Sequence, residues 1–387
     1  MVDMNAARCG NIKKMNLSAL KNVLQGEPKY RLKQVKEAVF VDFVESWAEA
    51  MTLSVGLRGK LNEQCPLYIE AEIYPSKDGQ TAKAVIVLGD GLKIESVLMR
   101  YEEGRNTICI SSQVGCALGC NFCATGKMGF KRNLTVDEIV EQVLFWARLL
   151  AHSPARHVFG ETVADERGDS GQEHRQKTPR TDLGICRGLS SANQTSKITN
   201  LVFMGMGEPF LNYDNVLESI HVLNDKDGFN LGARHFSIST VGIIDGIKKL
   251  TGEPLQINLA ISLHAPTDEL RSKLMPVGKE YTIPKILAAV DGYIEKTNRK
   301  VMFEYIMIDG VNDNEKQARQ LAELMKKPLY FINLIPCNPV GDFKPSPQAK
   351  IEKFKNILKD AGVQVNQRYS FGQDINAACG QLAGRGE

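Results

Sequence analysis

Apolar positions in the first 60 residues, among them Leu17, Leu20, Leu24, Val35, Val39 and Phe40, recur at three- and four-residue intervals. That spacing predicts helices, and Gly26 and Pro28 mark a turn between them. Between residues 67 and 100 the period shortens to two, in runs broken by Lys77-Asp78-Gly79 and Gly89-Asp90-Gly91. This predicts a small β meander. Further along, short apolar runs at 107–111, 198–204, 235–239, 256–263, 301–308, 330–335 and 363–371 are separated mostly by helical stretches. The first such stretch covers about 135–150 and opens on Thr135-Val136-Asp137-Glu138, a capping box. Strands alternating with helices predict an α/β chain whose parallel sheet closes, wholly or in part, into a barrel.

Residues 151–197 leave this rhythm: they are polar, mixed in charge, and hold Pro154, Pro179 and several glycines. They read as a long surface insertion. His174 and Cys186 lie within it, and a metal role for them stays open at this level. The unusual residues elsewhere sit at or just beyond the carboxyl ends of predicted strands. They are 116–123, 205–208, 239–242, His264 and Asn338. Parallel barrels build their active sites at that end, so five segments are expected to converge on one mouth. That convergence points to an enzyme. The expected division is an accessory unit at 1–100, a barrel at 101–372 and a short tail at 373–387.

Composition narrows the setting. The 387 residues are 43% hydrophobic and 24% charged, an ordinary globular balance. No apolar run has the length of a membrane span, and the amino terminus lacks a secretory signal. Nine cysteines, three of them clustered at ligand spacing, fit a reducing compartment better than a disulfide framework, so a cytoplasmic location is expected. The net charge is only +3, but residues 13–36 hold seven bases (Lys13, Lys14, Lys21, Lys29, Arg31, Lys33, Lys36) against one acid, Glu27. Lys127, Lys131 and Arg132 form a second group. Such groups suit a polyanion such as RNA, and equally a solvated helix face.

The chemistry starts at Cys116, Cys120 and Cys123, spaced C-x3-C-x2-C with Phe122 before the last. Structural zinc takes four protein ligands, and no further Cys or His occurs between Cys123 and His152. Three thiolates suit a four-iron cluster that keeps one iron open; zinc with a remote fourth ligand is the alternative. The spacing resembles the signature of the radical S-adenosylmethionine (SAM) superfamily. In that superfamily the open iron chelates SAM, and an electron from the cluster splits it to a 5′-deoxyadenosyl radical. Gly205 and Gly207 in Met204-Gly205-Met206-Gly207-Glu208-Pro209 permit close backbone approach to a ligand, and Glu208 offers an acceptor to an ammonium group. Taken alone, the run is a glycine-rich turn with a surface carboxylate.

Further runs make the resemblance specific. Cys109 lies in Thr107-Ile108-Cys109, seven residues before Cys116. Ser262-Leu263-His264-Ala265-Pro266, Ile335-Pro336-Cys337-Asn338-Pro339 and Ala377-Ala378-Cys379-Gly380 follow in order. Together these motifs resemble the RlmN/Cfr family of radical-SAM RNA methyltransferases from about residue 17 to 383, apart from the insertion. The resemblance implies a partial (β/α)6 radical-SAM barrel with an amino-terminal accessory unit. It also implies a [4Fe-4S] cluster on Cys116, Cys120 and Cys123. SAM would be held by Gly207, Glu208, Ser239, Ser262, Leu263, His264 and Asn338.

It further implies that Cys379 carries a methyl group from a first SAM. A radical made from a second SAM would activate that methyl for addition to an adenine ring carbon. Cys109 would release the product by forming a disulfide with Cys379, and Glu95 would take the ring proton. An exposed strand carboxylate is the alternative reading of Glu95. The substrate implied is an adenosine of 23S rRNA, before full ribosome assembly, and in one branch also the tRNA adenosine beside the anticodon. A flavodoxin or ferredoxin would supply the electron. Pro209 after Glu208 resembles the RlmN branch, which methylates carbon 2, whereas the Cfr branch methylates carbon 8. Cys9, Cys65 and Cys337 match no catalytic position and read as small apolar residues.

Overall fold

The computed structural model describes residues 14–152, 197–368 and 371–383. Cys9 and nearly all of the predicted insertion, with His174 and Cys186, lie outside them. Short helices Tyr30–Phe40 and Val55–Gln64 precede a meander of β1 (Glu70–Pro75), β2 (Thr81–Val87) and β3 (Lys93–Arg100). Next come β4 (Asn106–Cys109) and a two-residue pair, β5 (Gln113–Val114) with β6 (Arg132–Asn133). The main sheet continues through β7 (Asn200–Phe203), β8 (Phe236–Thr240), β9 (Asn258–Ser262), β10 (Val301–Met307), β11 (Tyr330–Pro336) and β12 (Val365–Gln367).

These strands form one sheet of ten, ordered β1-β2-β3-β4-β7-β8-β9-β10-β11-β12. Strands β4 and β7 to β12 run parallel, and the meander joins them antiparallel through β3 and β4, where Val97 faces Cys109. Hydrogen bonding therefore continues across residue 100, and β3 is an interior strand. The sheet stays open, as the partial barrel requires, with β1 and β12 at its edges.

Helices cover the parallel strands, and each of the seven strands overlaps a run read from sequence, none extending more than one residue beyond it. Residues such as Leu201, Phe236, Leu259, Ala260, Val301, Phe303 and Ile332 are wholly buried, which is why these runs are almost continuously apolar. Helix Val136–His152 starts with the predicted capping box: Glu138 N–H donates to Thr135 Oγ1 at 3.3 Å, and Thr135 N–H to Glu138 Oε2 at 2.9 Å. It buries Ile139, Val143, Trp146, Ala147 and Leu150 at helical spacing. Arg148 on the same helix donates to Leu67 O and Val44 O, both at 2.8 Å, clipping the amino-terminal segment to the barrel.

Candidate active site

A cavity opens at the carboxyl ends of the parallel strands. Cys116, Cys120, Cys123, Gly205, Gly207, Glu208, Ser239, Ser262 and His264 all line it, and so does Cys379 from the tail. Four of the five predicted segments thus meet there. The fifth, Asn338, stands behind the tail rather than on the cavity wall.

The loop of three cysteines is pinned from several sides. Lys131 N–H donates to Val114 O at 2.9 Å, in line with the β5–β6 pairing just before Cys116. Gln113 connects this loop to the glycine run, its Oε1 accepting Glu208 N–H at 2.9 Å and its Nε2 donating to Asn133 Oδ1 at 2.8 Å. Gly207 has φ +99°, and a Cβ there would come within 2.5 Å of Gln113 Cβ, so this crossing requires glycine. Burial pushes Cys116 up to about 11 and raises Cys120 further, and neighbouring thiolates add to both shifts. Such a set is disfavoured as bare thiolates and suited to a cationic iron centre, which offsets their repulsion. Among the described residues no three His, Cys, Asp or Glu side chains are grouped as around a single ion. That grouping is needed for ligands of one metal, not for thiolates that each bind a different iron of a cluster.

Glu208 is buried, and burial lifts its carboxyl to about 7. Its Oε1 accepts Phe210 N–H at 3.2 Å and its Oε2 accepts Val241 N–H at 2.9 Å. It therefore buckles the β7 and β8 loops together while keeping lone pairs for a ligand cation. Ser239 and Ser262 place their hydroxyls 3.5 Å apart on adjacent strands. Leu263 is core, its side chain wholly buried and its N–H bound to Glu304 O at 3.0 Å.

His264 sits in left-handed backbone at φ +59°. Its Nδ1 accepts Ile306 N–H at 3.1 Å, which leaves the other nitrogen to carry the proton. Burial, helped by the charge of Arg271, depresses its pKa to about 3 from 6.5. The unfolded histidine takes a proton near 6.5 and the folded one near 3, so stability falls as pH drops through that window. Glu208, raised from 4.5 to about 7, gives a slope of opposite sign between those values. Comparison with a His264→Gln variant cancels Glu208 and isolates the histidine. We expect the stability lost between about pH 7 and pH 5 in urea unfolding to be smaller in the variant. An unchanged loss would mean that folded His264 protonates freely.

The two remaining candidate catalytic cysteines meet in an adjoining hollow. Cys109, at the end of β4, and Cys379 both line it, with Arg368, Met204, Phe371 and Leu382. Cys379 forms part of both hollows, an exposed residue whose thiol is nonetheless desolvated there. Burial raises the pKa of each thiol, Cys379 raises that of Cys109, and Arg368 opposes the rise at both. The tail is strapped down across the barrel mouth. Asn338 Nδ2 donates to Cys379 O at 3.0 Å, Ala124 N–H to Gly380 O at 2.7 Å, and Thr125 Oγ1 to Leu382 O at 2.6 Å. Gln373 Nε2 donates to Asn338 Oδ1 at 2.9 Å, so both ends of the Asn338 amide serve the tail.

Glu95 is 1% exposed, which excludes an exposed strand carboxylate. It pairs with buried Lys83 at 3.4 Å and accepts Ala383 N–H at 2.9 Å. It lies two residues before Val97 on β3, hence on the same face of the sheet, and Val97 lines the hollow of the two cysteines. Cys65 and Cys337 are buried as expected of small apolar residues.

Sequence reasoning missed Glu304. It is a buried carboxylate on β10 that lines the cavity, accepts Asn333 Nδ2 at 2.9 Å and lies 3.6 Å from Arg368, with Oε2 lacking a hydrogen bond. The available signal was a single acid inside the apolar run 301–307, in register with Asn333 on β11.

A model of the radical SAM superfamily matches residues 191–322, downstream of the three cysteines. The chain is 40% identical to a Dictyoglomus thermophilum protein named "Probable dual-specificity RNA methyltransferase RlmN", over 96% of each chain. Its identity to a Chloroflexus aurantiacus protein of the same name is 42%, over 96% of this chain and 92% of the other. The chain belongs to the RlmN family of radical-SAM RNA methyltransferases. A solved radical SAM methyltransferase from Sphaerobacter thermophilus superposes with a TM-score of 0.81 at 37% identity, over 96% of this chain and 98% of that one. Membership makes this chain a SAM-dependent RNA methyltransferase with a [4Fe-4S] cluster, and the three-thiol cavity fits that cofactor.

Proposed function

We propose that this chain methylates carbon 2 of an adenosine in 23S rRNA and, as a second substrate, the tRNA adenosine next to the anticodon. The observation that carries this reading is the shared hollow of Cys109 and Cys379, which has Cys379 in common with the cavity of the three cluster thiols. Relatives named for dual specificity support two RNA substrates, and Pro209 after Glu208 supports carbon 2 over carbon 8.

Cys116, Cys120 and Cys123 would hold the cluster, with Gly207, Glu208, Ser239, Ser262 and His264 around SAM; Leu263 and Asn338 support that wall from behind. When bound, cluster and SAM supply a radical able to take hydrogen from a methyl group. The protein's own residues do the rest. The Cys379 thiolate takes a methyl group from a first SAM and presents it on the strap. A second SAM serves the radical step. Once Cys379 sulfur is joined through that carbon to the base, Glu95 takes the ring proton. The Cys109 thiolate then attacks Cys379 sulfur: an S–S bond forms as the C–S bond breaks, and the freed carbon takes a proton to become the methyl group. The unpaired electron left by radical addition would return to the cluster, and an external thiol would reduce the disulfide before the next turnover.

In this reading residues 1–100 grip RNA phosphates, 101–372 form the catalytic barrel and 373–387 carry the methyl. The basic groups are partly spent, which corrects the simple charge count: Lys14 pairs with Glu70, Lys36 with Asp225, and Arg132 with Asp90 and Glu138. Lys21, Lys29, Lys33, Lys127 and Lys131 have no carboxylate partner among the described residues and are the proposed phosphate contacts. A target adenine must leave its stack, which favours loops, and pre-assembly 23S rRNA offers such access. A flavodoxin or ferredoxin is the proposed electron donor. Among the described residues no helix is long and apolar enough to cross a membrane, and an RNA substrate with reduced thiols supports a cytoplasmic location.

Nucleoside mass spectrometry tests this on rRNA and tRNA from a host that lacks its own family member and expresses this chain. The expected result is 2-methyladenosine in both fractions. 8-Methyladenosine would overturn the carbon assignment, and unmodified tRNA would remove the second substrate.

A further inference from the structure

Arg271 is wholly buried on helix Asp268–Leu274, off the cavity wall. Its Nη1 donates to Tyr281 O at 2.7 Å, and its Nη2 to Val241 O at 2.5 Å and Ser262 O at 3.3 Å. All three acceptors are neutral carbonyls, and Nε has no partner. A buried guanidinium with no carboxylate in its hydrogen-bond shell is among the costliest groups a core can hold. The other cations near the two hollows differ: buried Lys83 has Glu95, and half-buried Arg368 has Glu304.

The missing anion lies next door. The end of the same helix rests on the cluster loop, where Asn121 donates from Nδ2 to Lys273 O at 2.7 Å and from N to Leu274 O at 2.9 Å. Asn121 adjoins Cys120. Of the anionic groups that act on Arg271, Cys120 comes first and Asp268 second, and Asp268 spends Oδ1 on Ile283 N–H. Val241 and Ser262, whose carbonyls Arg271 holds, are themselves residues of the cavity wall.

We propose that Arg271 is the resident counter-charge of the cluster, a positioning residue whose fixed positive charge favours the extra electron of the reduced state and so raises the reduction potential. This rests on the reading that Cys116, Cys120 and Cys123 hold the cluster. No proton moves: one electron enters from the external donor, and the guanidinium stays charged throughout.

The test is a redox titration of the anaerobically reconstituted full chain, followed by electron paramagnetic resonance, with iron and sulfide content measured in parallel. Arg271→Gln removes the charge and keeps an amide for the carbonyls; Arg271→Lys keeps the charge and loses the fork. At the potential where the parent is half reduced, the reduced-to-oxidised ratio of the Gln variant should fall by about tenfold, ~59 mV for a one-electron couple. The Lys variant should keep the parent's ratio. A Gln variant with a full cluster and the parent's midpoint overturns the proposal. So does a Lys variant displaced as far as Gln, because the lost hydrogen bonds, not the charge, would then set the potential. If the Gln variant does not fold, Arg271→Met, which also removes the charge, takes its place under the same criteria. A parent chain that takes up no iron and sulfide overturns the ligand assignment, and this proposal fails with it.

Discussion

Replacing Cys379 by serine is expected to lower RNA methylation by more than about 10³-fold, the scale on which removal of a nucleophile acts in enzymes that work through one. A hydroxyl at this place cannot act as the thiolate does, since its pKa lies far above the thiol range. The surroundings do not help it: burial raises the group at 379, Glu304 and Cys123 push the same way, and Arg368 is the one opposing charge. SAM cleavage to 5′-deoxyadenosine should persist, because the cluster thiols and the SAM wall are untouched. The fold should persist too, because the strap contact at this position uses the backbone carbonyl, which Asn338 holds at 3.0 Å whatever the side chain. Assays of methyl incorporation and deoxyadenosine release on one preparation separate these effects. Equal loss of both would indicate damage to the cluster cavity instead.

The Cys109→Ser variant should fail differently. Methyl loading of Cys379 and attack on the base do not use Cys109, so the reaction is expected to run until the enzyme is joined to RNA and stop there. Product release should fall by more than about 10³-fold while a covalent protein–RNA species accumulates. Denaturing gel electrophoresis before and after nuclease digestion reads it directly. Cys109 is buried at the end of β4 and faces the same hollow as Cys379, and among the described residues no other cysteine lines that hollow to substitute for it. Free product with no trapped species would assign release to another thiol.

Much of this architecture was legible in the sequence, for a physical reason. Parallel strands covered on both faces read as apolar runs, and the motif residues stand where those runs stop, so periodicity and motif positions together locate the mouth. What stayed hidden depends on which surfaces meet. Local alternation marks 93–100 as a strand but does not say that β3 bonds to β4 and so becomes interior, which is what buries Glu95. Asn338 was expected on SAM; its position after β11 was legible, but not that the tail crosses back to take both ends of its amide. Charge counting overstated Arg132, because its partners Asp90 and Glu138 are distant or unremarkable in sequence. Arg271 and Glu304 gave only single charged letters in apolar or helical contexts, and their meaning comes from burial.

The central claim, that the methyl group passes through Cys379, is tested most directly by peptide mass spectrometry of the tail. The protein would be reconstituted with its cluster and incubated with SAM labelled in its methyl group. The account predicts that Cys379 carries the label before RNA is added, and that addition of RNA transfers it to adenosine. Labelled RNA formed while Cys379 remains unmodified at every time point would contradict it.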